Sequence, residues 1–154
     1  MQKITPFLWF DDNAEEAMDF YMSVFKNAKE ISKSRYPNGG PMPAGTFMTG
    51  AFELEGLQFT VINAGPAFKF NESISFVVEC KDQEEVDYFW DAFTKDGGEE
   101  SQCGWLKDKF GLSWQIAPTR LLELISGPKA SKVMPVMMTM KKIDLQKIED
   151  AANS

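Results

Sequence analysis

Read for where its hydrophobic positions fall, the chain sets out the same order of elements twice. Residues 4–10 form an aromatic and branched run of the kind that makes strands. Asn13 or Asp12 can cap a helix over about 14–25, whose first-turn acids suit the positive end of its dipole. Ala17, Phe20, Tyr21, Val24 and Phe25 then recur at helical spacing on one face. Strands are expected at about 29–36, 46–53 and 57–63, the last two joined by Glu55-Gly56, a two-residue turn that needs positive φ. The second half runs in parallel: a strand at 73–80, a helix capped by Asp82 and reaching about 95, and strands near 100–104, 105–107 and 112–117. Val86, Phe89, Trp90 and Phe93 form the apolar stripe of that second helix, and Gly97-Gly98 stops it.

The halves also match residue by residue. Asn13-Ala14-Glu15-Glu16-Ala17 and Asp82-Gln83-Glu84-Glu85-Val86 share a polar cap position, an acidic pair and an apolar residue, and each leads to an aromatic pair. Gly56-Leu57-Gln58-Phe59-Thr60-Val61 and Gly111-Leu112-Ser113-Trp114-Gln115-Ile116 share Gly-Leu-x-aromatic-x-branched. The first half carries an extra loop, Tyr36-Pro37-Asn38-Gly39-Gly40-Pro41. The fold expected is α+β, two βαβββ modules (about 1–66 and 72–118) pairing into curved mixed sheets around a pocket, followed by a helical tail at about 119–152. Leu121, Leu122, Leu124 and Ile125 start that tail, Gly127-Pro128 breaks it, and a Met-rich stretch leads to a last helix. The tail can cover its own module or a second subunit.

Strand alternation assigns the faces. Leu57, Phe59 and Val61 should lie under the helix, with Phe52 opposite Phe59 and Glu53 opposite Gln58. The other face, with Thr49, Glu53, Gln58 and Thr60, should line a concavity, joined by Ser113 and Gln115 from the second half. In the first strand the same count puts Phe7 and Trp9 under the helix and Pro6, Leu8 and Phe10 on the concave side. In the second half Phe76 and Val78 become core, and Ser75, Val77 and Glu79 concave. Trp9, Trp90, Trp105 and Trp114 read as core packing, least firmly for Trp105, whose strand is short.

Composition narrows the chemistry. In 154 residues the chain has a formal charge of −7, no histidine and two cysteines. The charge repels phosphate backbones, so no nucleic-acid partner is expected. No apolar run approaches the roughly 20 residues of a membrane span, and no membrane association is expected. The opening residues show no basic-then-apolar leader, which points to the cytoplasm and to reduced thiols at Cys80 and Cys103. Without histidine there is no imidazole base, His triad or His metal ligand.

Two such modules, together with ITPFLWFDDNAEEAMDFYMSVF, RYPNGG, FELEGLQFTVINAGPAFKFNESISFVVEC and CGWLKDKFGLSWQIAP, resemble the vicinal oxygen chelate superfamily of glyoxalase I, extradiol dioxygenases and bleomycin-resistance proteins. Within it they are similar to the PhnB-like branch that carries the description 3-demethylubiquinone-9 3-methyltransferase domain. The resemblance implies a divalent-metal site with one ligand from the first and one from the last strand of each module, commonly His, Glu or Gln. Carried onto this chain, the four places are Pro6, Thr60, Ser75 and Gln115. Only Gln115 suits a metal, and a shift of register by two brings in only Gln58 or Glu79, so no metal or cofactor is expected.

The function expected is a metal-free binder of an unidentified small organic molecule, open to catalysis by Glu53, Glu79 or Gln115. The alternatives are an enzyme matching the methyltransferase description and a metal-dependent lyase, isomerase or dioxygenase of the superfamily. Glu53 and Glu79 read either as pocket acids or as exposed strand acids. Cys103, near Lys107 and Lys109, reads either as a nucleophile or as a small packed thiol. Arg35 and Tyr36 can anchor an anion beside the Pro/Gly loop. Neither Asn38-Gly39-Gly40 nor Gly97-Gly98 opens a helix, as a nucleotide-type glycine turn would. Related folds pair two chains, so a homodimer is expected.

Overall fold

A computed structural model describes residues 2–154. The chain forms two compact units, Met1–Lys69 and Phe70–Ser154. The first contains β1 (Phe7–Phe10), α1 (Ala14–Val24), β2 (Ala28–Arg35), β3 (Phe47–Leu54) and β4 (Leu57–Asn63). The second contains β5 (Ser75–Cys80), α2 (Gln83–Thr94), β6 (Glu99–Glu100), β7 (Trp105–Lys107), β8 (Ser113–Pro118) and the tail helices α3 (Thr119–Ile125), α4 (Ala130–Met137) and α5 (Leu145–Ala152). Each unit holds one four-stranded mixed sheet, in the order β1-β4-β3-β2 or β5-β8-β7-β6, so the α+β reading with two βαβββ modules holds.

In each sheet the first strand runs parallel to the last, and the rest is antiparallel. Phe52 faces Phe59 and Glu53 faces Gln58, as the alternation requires. The turn between them places Glu55 at φ 47° and Gly56 at φ 85°. Helix α1 covers the apolar side through Ala17, Met18, Tyr21 and Val24, all buried. It lies close on β3 at Gly50, where a Cβ would sit 2.5 Å from Met18 Sδ and 2.9 Å from Phe47 Cζ. Only a residue without a side chain leaves that approach open. In the second unit Trp90, Phe93, Leu106, Trp114 and Ile116 fill the corresponding core, with Phe93 and Trp114 stacked at 4.6 Å.

Strand β1 reverses the expected faces. Leu8 and Phe10 are buried at 6% and 3% exposure, while Phe7 is 59% exposed. The sequence FLWF is apolar at every position, so alternation alone carries no sign; the parallel register, with Leu8 beside Val61, decides it. Phe7 and Trp9 therefore share the face of Thr60 and Ile62. Trp9 donates its indole N–H to the Gly65 carbonyl (2.9 Å) and meets Phe68 edge-on at 4.9 Å. Leu57, at the hairpin tip, is 42% exposed and does not join the core.

The helix caps differ as well. Asp82 accepts from the Glu85 amide at 2.9 Å, as expected. Asn13 makes no side-chain cap; Asn63, at the end of β4, accepts the Ala14 amide at 2.7 Å instead. A cap from a residue so distant in sequence has no local signature.

The tail packs on its own unit. Leu121, Leu124, Val133, Met140, Ile143, Ile148 and Ala152 form a separate buried cluster. Gln83 of α2 accepts from the Leu145 amide (2.7 Å) and donates to the Ile143 carbonyl (2.9 Å), which pins the tail to the helix. The Cys103 and Gly104 amides donate to the Met140 and Lys141 carbonyls, each at 2.8 Å. No helix among the described residues is long and apolar enough to cross a membrane.

Candidate functional site

The face of the second sheet turned away from α2 collects most of the polar residues singled out in sequence. The register sets Ser75 beside Ser113, and Ser113 beside Lys107. One step along, Val77 lies beside Gln115, and Gln115 beside Trp105. Gln115 Nε2 donates to Ser75 Oγ at 3.0 Å. Glu79 continues the same row beside Ala117 and is exposed.

Ser113 is the unusual member. It is 1% exposed, and among the described residues its Oγ is the one buried side-chain polar atom without a hydrogen-bond partner. A buried hydroxyl left unpaired costs about 1–3 kcal/mol, which marks a place for a partner. Ser113 borders a cavity of about 230 Å³ lined also by Glu72, Glu99, Ser101, Trp105 and Lys107. Lys107 Nζ lies 2.5 Å from Glu72 Oε1. That hydrogen bond holds the ammonium above its ordinary pKa and the carboxyl below its own. Sequence reading passed over Lys107 and Trp105 as site residues, because β7 is three residues long and its parity becomes visible only through β8.

In the first unit the corresponding face carries Thr49, Glu53, Gln58 and Thr60 with Phe7, Trp9 and Ile62. Its polar groups are mostly engaged. Thr49 Oγ1 and Ser34 Oγ lie 2.5 Å apart. The Gln2 side chain grips the Gln58 backbone with two bonds of 2.9 Å, and Glu53 pairs with Lys29 at 3.7 Å. Leu8 and Phe10, expected to line a pocket, lie instead in the helix-covered core, and Pro6 offers only a carbonyl, which accepts the Thr60 amide at 2.9 Å. A second cleft of about 450 Å³ includes Arg35, Tyr36 and Asn63 with Asp11, Asp12 and Glu15. There Glu15 lies 3.0 Å from Lys33 and 3.8 Å from Arg35, and the Tyr36 hydroxyl donates to the Asn63 carbonyl at 2.5 Å. With three acids around it, this cleft does not suit the anion that Arg35 and Tyr36 suggested.

The strand register also corrects the expected metal positions. Phe7 pairs with Thr60 as Val77 pairs with Gln115, so counting back makes Thr5, not Pro6, the counterpart of Ser75. The four places then hold Thr5, Thr60, Ser75 and Gln115, three hydroxyls and an amide, with Ser75 and Gln115 bonded to each other. Divalent ions at such sites require carboxylates or imidazoles, so these residues do not fit one. Among the described residues no group of three or more His, Cys, Asp or Glu could hold a metal.

Neither thiol supplies a reactive nucleophile by its surroundings. Burial pushes Cys80 up to about 12. Cys103 is half-buried at φ 60°, and the lysines near it in sequence are directed elsewhere: Lys107 to Glu72, and Lys109 over the Phe110 ring at 5.5 Å. The glycine clusters lie between β2 and β3 and after α2, so neither opens a helix.

The profile of the family described as 3-demethylubiquinone-9 3-methyltransferase matches residues 2–117. Among solved structures, the PhnB protein from Bacillus cereus is 37% identical, with a TM-score of 0.70 over 77% of this chain and 100% of that one. A Pseudomonas aeruginosa protein is 18% identical, with a TM-score of 0.62 over 77% of this chain and 98% of that one. The fosfomycin resistance protein FosX from Listeria monocytogenes, a complex with Mn(II) and sulfate ion, is 18% identical and has a TM-score of 0.55 over 82% of this chain and 98% of its own. These last two share the fold. None of the curated proteins matches the sequence.

Proposed function

Because this chain belongs to the 3-demethylubiquinone-9 3-methyltransferase family of PhnB-like proteins, in the vicinal oxygen chelate superfamily, we propose that it binds a small organic molecule by hydrogen bonds and without a metal ion. The site is the face of the second sheet that carries Ser75, Ser113 and Gln115. The observation that carries this reading is the unpaired, buried Ser113 hydroxyl beside the Gln115–Ser75 pair. The superfamily resemblance implies a metal held from positions like these. Here a neutral amide and hydroxyls stand ready to donate to or accept from a ligand directly.

A chemical step on the bound molecule would draw on Glu53, Glu79 or Gln115. Glu53 is turned to Lys29 and Glu79 is exposed, whereas Gln115 already shares the row of Ser75 and Ser113, so polarisation of a ligand carbonyl by its amide is the step the geometry favours. The reading includes a homodimer, supported by apolar area at the edge strands: Phe7 on β1 and Val77 on β5 are 59% and 48% exposed, with Ile74 at 55%.

Native mass spectrometry of protein purified without a polyhistidine tag tests the metal-free claim. The expected result is a co-purified organic mass that survives chelator treatment and is lost or weakened in Ser113→Ala and Gln115→Ala. A stoichiometric divalent ion whose removal abolishes ligand retention would sink it. Titration calorimetry with S-adenosylmethionine is expected to give no heat of binding; micromolar affinity would instead favour methyl transfer.

A further inference from the structure

The cavity beside Ser113 holds more negative charge than its one lysine offsets. Glu72 and Glu99 both line it with Lys107. Glu72 takes the ammonium at 2.5 Å, and Glu99 is the residue opposite Lys107 across β6 and β7. Glu100 also lines the cavity, but its Oε2 accepts from the Trp90 indole N–H at 2.6 Å. One cation thus stands among three carboxylates, since the neutral indole N–H leaves the charge on Glu100, and it is Glu72 that holds the ammonium. The remaining lining is Ser101, Trp105, Leu106 and Ser113, whose unpaired hydroxyl is buried.

Resting on the ligand-binding reading of this face, we propose that the molecule it takes is a small organic cation: an ammonium seated between the Glu99 carboxylate and the Trp105 ring, donating a hydrogen bond to Ser113 Oγ. Two features favour that charge, and a third accommodates it. A carboxylate without its own counter-ion attracts an ammonium, and the electron-rich face of an indole does the same. The unpaired hydroxyl has free lone pairs for an N–H donor, and pairing it removes the cost of leaving it dry. At longer range the formal charge of −7 raises the local concentration of cations. An anionic ligand would instead bring a fourth negative charge to the single positive charge of Lys107. The volume, about 230 Å³, lies below the roughly 300–1,000 Å³ usual for drug-sized ligands and suits a compact amine.

The test is a titration of the full chain, followed by amide and indole chemical shifts, with three probes of similar size: ethanolamine, acetate and glycerol. Ethanolamine is expected to shift the Trp105 indole and Ser113 amide resonances saturably and more weakly at higher salt. Glu99→Gln should weaken it about tenfold, and Ser113→Ala about three- to tenfold, with melting temperatures near that of the parent. Saturation of the same resonances by acetate or glycerol at equal or lower concentration overturns the cation assignment and leaves ligand binding on this face intact. Failure of all three probes to shift them overturns both.

Discussion

The hairpins β3–β4 and β7–β8 hold matching places in their sheets and are closed by different physics. The first turns on backbone conformation, with Glu55 and Gly56 both at positive φ, and the Glu55 carboxylate accepts from the Asn27 amide and side chain at 2.9 and 3.1 Å. The second also has a glycine at positive φ, Gly111 at 89°, but it turns around a carboxylate that is 2% exposed. Asp108 accepts from the Phe110 and Leu112 amides at 2.8 and 3.1 Å, and from the Trp114 indole N–H at 2.8 Å. The register explains the exchange. Phe52 pairs with Phe59 as Leu106 pairs with Trp114, so Trp114 stands where the first module has Phe59, and Asp108 where it has Leu54. Trp114 brings a donor into the core that Phe59 does not, and the buried acid answers it. Sheet register is shared between the modules, while the turn diverges together with the side chain it must satisfy.

The strongest way to break this comparison is Asp108→Ala, which leaves the indole N–H and two amides without their acceptor. A loss of about 3 kcal/mol in denaturant unfolding is expected. Pairing the acid's removal with removal of the donor sharpens the point: Asp108→Leu combined with Trp114→Phe restores the pattern of the first module and should recover about 1–2 kcal/mol relative to Asp108→Leu alone. Additive losses would show that the carboxylate serves the loop amides only.

A smaller effect belongs to the other hairpin. Gly56→Ala forces an L side chain into φ 85° and should cost about 1 kcal/mol by the same assay, without touching the second unit's core. Loss of the Trp114 environment in that variant would contradict the independence of the two turns.

The smallest effect concerns the ends of β1 and β5, where Phe10 and Cys80 are both buried against the helix-covered side. Cys80 is pushed from near 9 to about 12 by burial, so the folded chain keeps a proton that the unfolded chain releases. Its contribution to stability is intact below about pH 9, so nothing is lost near neutral pH, and it declines as pH rises from 9 toward 12. At pH 8 a thiol reagent should modify Cys103 in the native protein and reach Cys80 only on unfolding; equal rates would show that β5 opens freely.

What could be read from the sequence follows from where the deciding information lies. Helices α1 and α2, the Glu55-Gly56 turn and the pairing of Phe52 with Phe59 rest on local periodicity and turn chemistry, and all were legible. The faces of β1 were not, because FLWF is apolar throughout and its sign comes from a strand some fifty residues away, to which Phe10 is joined opposite Asn63. That one-residue error carried Pro6 into the place of Thr5. On the other module, polar Ser75 and Glu79 alternate with apolar neighbours, and the row of Ser75, Val77 and Glu79 was legible. Asp108 was missed because a carboxylate is expected in water. Its one local signal is the Asp-x-x-Gly spacing of Asp108 and Gly111, which suits a side-chain-supported turn. The orphaned Ser113 hydroxyl left no trace, since its neighbours come from two other strands, β5 and β7.

The parallel pairing of β1 with β4 has a consequence for the order in which the molecule can be made. Until residue 63 has emerged, β1 has no strand to join and α1 has only part of a sheet to lie on. The same holds for β5, which waits for β8. A nascent chain therefore gains its native contacts in two module-sized steps, the first completed when β4 arrives and the second only when the tail has followed β8, so that the first can finish while the second is still being synthesised.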